Sequence, residues 1–599
     1  MLRTIVLITL APLCAAPGSA DDSAAQTLAR LFHDYDAWVI REFPSVARQR
    51  GDYTNATELD DNSIAAIERR HGERGRFLKR LHAIERPSLP AEDQLNYDLF
   101  EYMISEQLDG YRFRMFLAPI TAREGPQQTV AQMHVRSRFD RYEDFAGYLT
   151  RLEGVPAQLE NTLAKLKLGL AEGRTPPRVS IKGVPGQFSA LVNGGLDALG
   201  KPFAQAGLPL SAEQLAELRR RFNEVSLPAV RTAMARLGRY VTDEYVPHAR
   251  ASIAAATLPD GSAYYAYMLR TMTTTDLTPR EIHEMGLAEV TRIRAEMMRV
   301  IRSSDYLEKF PDDAALDADA LFARFVHYLR TDPRFYHKTP RELLRGYRDV
   351  CKRIDAELPK LFKTLPRLPY GVREIPAYIA PNQTTGYYSQ GDIRNAEPGY
   401  FYANTYALDQ RPTYEMIALA MHESVPGHHL QIALAQEMKG VPEFRKDWYL
   451  SAFGEGWALY AERLGLEVGL YADPYDNFGR LLYEMWRACR LVVDPGMHAF
   501  GWSRARAVKF MLDNTALSEL NVNTEIDRYI AWPGQACAYK IGELKIRELR
   551  DRAEQALGDT FDLRAFHDAV LGAGTLPLTI LERRIDAWIA RHAAASNSR

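Results

Sequence analysis

Cysteine is scarce, with four residues in 599, at positions 14, 351, 489 and 537. So few thiols exclude a disulfide-stapled scaffold, and their spacing does not match a zinc ribbon. Charge of one sign is also missing: 75 basic residues face 77 acidic ones, for a formal net charge of −2. Without a broad basic field, nucleic acid is not expected as a partner. Beyond the N-terminus no apolar run approaches the roughly 20 residues that cross a bilayer, so no membrane span is expected. Repeats and low-complexity segments are absent, which excludes a solenoid array or a long disordered tract. What remains is 46% hydrophobic and 25% charged, an ordinary globular composition. At this length the core can be large enough to hold the fold without covalent staples.

The first twenty residues read as a secretory signal peptide. Arg3 supplies the positive start, Ile5 to Ala16 the short apolar stretch, and Gly18-Ser19-Ala20 a small-residue cleavage site before Asp21. A periplasmic or secreted protein follows. Cys14 is preceded by Ala11-Pro12-Leu13, a poor lipidation context, so a lipid anchor is not expected. Cys351, Cys489 and Cys537 read as small buried apolar residues.

Apolar spacing and proline breaks predict a mainly α chain. Helices are expected over Ala25–Phe43, Ser63–Ile84, Ala91–Leu108 and Phe139–Glu172, the last kinked at Pro156, and over Ser211–His248, interrupted at Pro228. Helices continue through Ala318–Thr331 and Thr339–Leu365. Strand character concentrates in Val372–Ile379 and Gly399–Tyr406, separated by a Gly, Asn and Gln-rich stretch. An exposed edge there could hold an extended peptide by main-chain pairing. Organisation is therefore read as a signal peptide (1–20), a helical N-terminal part (21–370) and a catalytic part (371–599), the last two forming one continuous unit.

The chemistry concentrates in Met421-His422-Glu423-Ser424-Val425-Pro426-Gly427-His428-His429. In H-E-x-x-H zinc hydrolases two histidines four apart share one helical face and the Glu serves as base. Here the fourth residue after His422 is Pro426, so a second ligand must be His428 or His429. At about 100° per residue neither lies beside His422 in a regular helix. Pro426 and Gly427 supply a distortion, and a bulge there could bring the later histidine alongside. A second His-Glu pair, His283-Glu284, has Leu287 where the closing histidine would stand. It is read as a decoy on a surface helix, with Glu281, Glu284, Arg292 and Arg294 in solvent.

A catalytic zinc site needs a third protein ligand. Glu455, between Gly454 and Gly456 on a later helix, is the candidate, with Glu462 two turns on as a ligand-orienting carboxylate or an ordinary surface Glu. Glu423 is placed as base toward a zinc-bound water. Tyr539, in an apolar stretch, and His498, after the Asp494-Pro495-Gly496 turn, are the candidate oxyanion donors; composition alone would place either in the core. Arg487, Arg490 and Lys540 are read as helix ion-pair partners or as anchors for a substrate carboxylate.

HESVPGHHLQ, with GEGWALYAE downstream, resembles the bacterial family catalogued as domain of unknown function 885. PGYFYANT, LVVDPGMHAFGW, YIAWPGQACAYKIG and TPREIHEMGLAEV fit the same resemblance, which covers roughly Ala29 to Ile585. That family is in turn distantly similar to helical zinc peptidases of the thimet oligopeptidase and angiotensin-converting enzyme groups. The resemblance implies a large helical zincin-like fold with a deep cleft and a small sheet beside the metal helix. It implies Zn2+ held by His422, His428 and Glu455, with Tyr539 stabilising the intermediate, and it favours His428 over His429. The function implied is a zinc metallopeptidase acting on short peptides. A zinc hydrolase of a non-peptide amide or ester, or a silent peptide-binding protein, would use the same residues. The pattern sets neither substrate length nor oligomeric state.

Overall fold

The computed structural model describes residues 23–597 apart from positions 206, 378, 394 and 395. The stretch read as a signal peptide, with Cys14, lies outside the described residues. The chain is mainly helical, with one three-stranded sheet. Helices run over Ala24–Glu42, Ile64–His82, Ala91–Tyr111 and Tyr142–Ala171, close to expectation. The last runs through Pro156 without a break. Between 212 and 248 the chain stays helical by a device the sequence does not announce. Two π turns, Phe222–Ser226 and Val241–Tyr245, stand just before Pro228 and Pro247. The wider turn accommodates a residue that has no N–H to give.

Apolar packing forms two cores. One is local, drawn from residues between Ile120 and Ala249. The main core joins Phe100 and Ile293 to Phe401, Leu482 and Leu581, so it spans both sides of residue 370. Cys351, Cys489 and Cys537 are free and buried, as small apolar residues would be.

The elements that build the site are α1 (Pro279–Ser303), β1 (Tyr370–Glu374), β2 (Gly386–Ser389), β3 (Gly399–Ala403), α2 (Met416–Glu423), α3 (His428–Gln436), α4 (Ser451–Leu464), α5 (Pro474–His498), α6 (Glu519–Ala531) and α7 (Gln535–Leu557). Strand order is β1-β3-β2; β1 is parallel and β2 antiparallel to β3. Strands β1 and β2 are therefore the two edges, β2 lying in the Gly, Asn and Gln-rich stretch, and the aromatic β3 is central.

Helix α1, the decoy helix, keeps Glu281 and Glu284 exposed as expected, but its other face packs against α5. A Cβ on Gly286 would lie 2.7 Å from Leu491 Cβ of α5, so the two backbones approach closely there. His283 donates through Nδ1 to Val492 O at 2.9 Å. Arg292 pairs with Glu289, Glu296 and Glu484 instead of facing water. The Asp494-Pro495-Gly496 turn also fails to form: α5 continues through Pro495 to His498.

A buried charge network ties α1, α5 and α7 together. Lys540 is fully buried, with Nζ at 2.9 Å from Glu289, 2.9 Å from Glu484 and 2.8 Å from Glu543. These carboxylates outweigh the cost of burial and raise the ammonium pKa. Lys540 is thus committed to the fold and cannot anchor a substrate.

Candidate metal centre

Helix α2 ends at Glu423. The chain folds back through Ser424–Gly427, with a cis Val425–Pro426 bond, and restarts as α3 at His428. The distortion is thus a break between two helices rather than a bulge in one. Gly427 is required by close approach: a Cβ there would lie 2.0 Å from His422 O and 2.4 Å from Met421 O. Trp457 of α4 fixes the turn by donating to Pro426 O at 2.7 Å, and His429 N–H donates to Ser424 O at 3.0 Å. The result sets the His422 and His428 rings edge to face, 4.8 Å apart.

Helix α4 brings Glu455 to the same point. Its Oε2 lies 3.5 Å from His422 Nε2 and 3.3 Å from His428 Nε2. One donor atom from each of His422, His428 and Glu455 falls within 4.8 Å of the others. Tetrahedral coordination at about 2.0–2.1 Å implies ligand-to-ligand edges of roughly 3.3–3.4 Å, which the two His–Glu edges match. Glu455 Oε2 is buried without a hydrogen-bond partner, an expensive state for a carboxylate oxygen. Two imidazoles and a carboxylate form a donor set that suits zinc.

Glu462 is a buried partner of His422 and no surface residue. It sits 1% exposed, and His422 Nδ1 donates to its Oε1 at 2.8 Å. That bond fixes the tautomer that leaves Nε2 facing Glu455. Burial opposes charge on His422, but Glu455 and Glu462 outweigh it and lift the ring to about 9. Burial likewise opposes ionisation of Glu455, yet His428 and His422 hold it well below the ordinary carboxylate range. The imidazole proton therefore adds stability in full below its ordinary value near 6.5 and loses it as pH rises through about 9. A cation entering near pH 7 must displace that proton.

The two candidate tails of the motif separate cleanly. His429 donates through Nε2 to Leu368 O at 2.9 Å and accepts from the Tyr388 hydroxyl at 2.9 Å, so it ties β2 to α3 and offers no free nitrogen. Burial pushes it down to about 4 and keeps it neutral.

The cluster opens on a cavity of about 800 Å³. His422, Glu423, His428 and Glu455 line it, as do Gly386, Tyr387 and Tyr388 of the edge strand. Tyr539 lines it too, for a reason legible in the backbone. A Cβ on Gly542 would lie 1.9 Å from Ala452 O, and one on Gly456 2.5 Å from Gly542 Cα. Helices α4 and α7 therefore cross in near contact one residue from Glu455 and one turn from Tyr539. Burial, with the Glu455 charge second, raises the Tyr539 pKa and keeps its phenol protonated. Arg487 and Arg490 are also in the wall.

His498 is not in the wall. It accepts from Ala255 N–H at Nδ1, 3.2 Å, and donates from Nε2 to Tyr529 O, 3.0 Å, with no exposure. The continuation of α5 through Pro495 carries it into the core, and it cannot serve as an oxyanion donor. Sequence reasoning missed Tyr449, Arg123, Glu525 and Arg528, all lining the cavity. Tyr449 precedes α4, and its hydroxyl would lie 2.7 Å from a Cβ on Gly454, next to Glu455. Its position before the GEG helix was a usable signal. Nothing local marks Arg123, more than three hundred residues before Glu455.

Fold and site together define a mainly helical protein with a His/His/Glu cluster able to hold a divalent metal. The chain belongs to the DUF885 family of bacterial proteins of unknown function, whose family model matches residues 44–585. A crystal structure from Colwellia psychrerythraea, provisionally described as a lipoprotein, is 26% identical. It aligns with a TM-score of 0.85 over 95% of this chain and 100% of that one. A second, from Shewanella oneidensis and provisionally described as a lipoprotein of unknown function, is 20% identical, with a TM-score of 0.73 over 94% and 99%. No curated protein matches the chain.

Proposed function

We propose that the protein is an exported zinc-dependent metallopeptidase that hydrolyses short peptides. The observation that carries this reading is the convergence of His422, His428 and Glu455 on one point, with Glu423 beside them in a cavity lined by the edge strand β2. Zinc held by those three side chains would polarise a carbonyl and acidify water. The remaining steps belong to the chain. An extended peptide pairs with the outer edge of β2 and is laid across the cluster. Glu423 takes a proton from the attacking water and returns it to the leaving amine. The Tyr539 and Tyr449 hydroxyls donate toward the developing oxyanion. The zincin-like fold and deep cleft implied by resemblance belong to this proposal, as do the zinc hydrolase of a non-peptide amide or ester and the silent binder as competing readings.

Export is part of the proposal. Among the described residues no helix is long and apolar enough to cross a membrane. The expectation against a lipid anchor is withdrawn. Two similar structures are provisionally described as lipoproteins, and Cys14 supplies the thiol such an anchor needs. A peptide-library digest read by mass spectrometry tests the activity. Cleavage of short peptides should vanish with chelator and return with zinc. Cleavage indifferent to chelator, or none by zinc-loaded protein, contradicts the proposal.

A further inference from the structure

One end of the main cavity carries positive charge that the reaction described above does not use. Arg123, Arg487, Arg490 and Arg528 line it, against a single carboxylate, Glu525, on that side. Glu525 is shared: its Oε2 lies 3.1 Å from Arg490 Nη2 and 2.9 Å from Arg528 Nη2. One carboxylate thus faces two guanidinium groups, and their charge is only half offset. Arg490 is 3% exposed and held rigidly, with its guanidinium carbon 4.5 Å from the Trp486 ring centroid and 4.3 Å from that of Tyr539. Its Nη1 is buried without a hydrogen-bond partner. A cation desolvated this far and left with a spare donor is suited to a bound anion.

The position of this end relative to the metal cluster gives it meaning. The Arg490 guanidinium lies 4.3 Å from the ring centroid of Tyr539, and Tyr539 lines the same cavity as Glu455, so the tyrosine links the two centres along one wall. The main cavity and a second chamber of about 490 Å³ share Gln390, Ile432 and Tyr449 as wall residues. Strand β2 leads from one to the other, since Gly391 and Asp392, just after it, line the second chamber. The space is therefore charged at the arginine wall and borders a second chamber along β2.

We propose that the arginine end, Arg490 as donor with Arg528 adding charge, binds the free C-terminal carboxylate of a peptide, so that the protein acts at the C-terminal end of its substrate. This rests on the peptidase reading and adds the substrate class and direction of binding. The N-terminal part of the peptide runs along β2 toward the second chamber. Arg528 already closes its fork on Glu525 through Nε and Nη2 and gives Nη1 to Gln535, so it contributes charge, while Arg490 keeps Nη1 as the donor for an incoming carboxylate.

The test uses full-length, zinc-loaded Glu423→Gln protein, so that binding is read without turnover. Calorimetry compares one alanine-rich pentapeptide as the free acid and as the C-terminal amide. The acid should bind about 10-fold or more tightly than the amide, as expected for a charge-assisted bond. Adding Arg528→Gln should bring the two within about 2-fold, and Arg528→Lys should restore part of the preference. Arg490→Lys, judged by the same ratio, provides a second variant with the charge kept. Equal binding of acid and amide, binding of neither, or a preference untouched by Arg528→Gln overturns the assignment. Selective binding of the acid with no cleavage by the wild type leaves carboxylate recognition standing and removes the hydrolase reading.

Discussion

Glu423→Gln is expected to lower peptide hydrolysis by at least about 10²–10⁴-fold, the contribution typical of a positioned general base. The amide has nearly the shape of the carboxylate but cannot take a proton from water. Glu423 ends α2 directly after His422, is 8% exposed and lines the cavity, so its carboxylate reaches the same space as the metal cluster. It is not among the three groups that converge on the proposed metal position. Zinc content and thermal midpoint should therefore match the wild type. Activity retained in this variant would rule out Glu423 as the base, and activity lost together with zinc would make it a ligand instead.

The second large effect is on stability. Lys540→Met should destabilise the protein by roughly 3–5 kcal/mol, because removing one partner of a buried ion network leaves uncompensated charge. Lys540 has no exposure, and its ammonium meets Glu289, Glu484 and Glu543. Methionine fills similar volume and removes the charge alone. A clearly lowered urea or thermal midpoint is the expected result. An unchanged midpoint with a raised KM would instead restore Lys540 as a substrate anchor.

Those two residues mark what a sequence can place and what it cannot. Glu423, His422 and Glu455 were legible because their chemistry is local: a His-Glu pair ending an apolar helix, and an acid between two glycines. Gly456 and Gly542 even record the helix crossing that carries Glu455 toward Tyr539. Lys540, His498 and Glu462 were not legible, because burial decides their roles. The turn expected at Asp494-Pro495-Gly496 is overridden by packing of α5 against α1, and that moves His498 into the core. The edge strand β2 was hidden because four residues between polar segments give too short a pattern to read as a strand. Between two candidate histidines, spacing alone could not choose. The fold chooses by giving both nitrogens of His429 to other partners.

The arginine end of the cavity illustrates the same limit. Arg490 and Arg528 come from α5 and α6, Arg123 from the part of the chain with its own core, and only the tertiary fold places them together. Arg487, though also in the wall, leans toward Glu462, with Nη2 3.6 Å from its Oε1. It belongs as much to the support of His422 as to the charged end.

Elemental analysis of protein dialysed against trace zinc measures the central claim directly, in the wild type and in Glu455→Ala. The account predicts about one zinc per chain in the wild type and little or none in the variant, since two imidazoles alone make an incomplete site. A wild type that binds no zinc, or a Glu455→Ala protein that keeps a full equivalent, would contradict it.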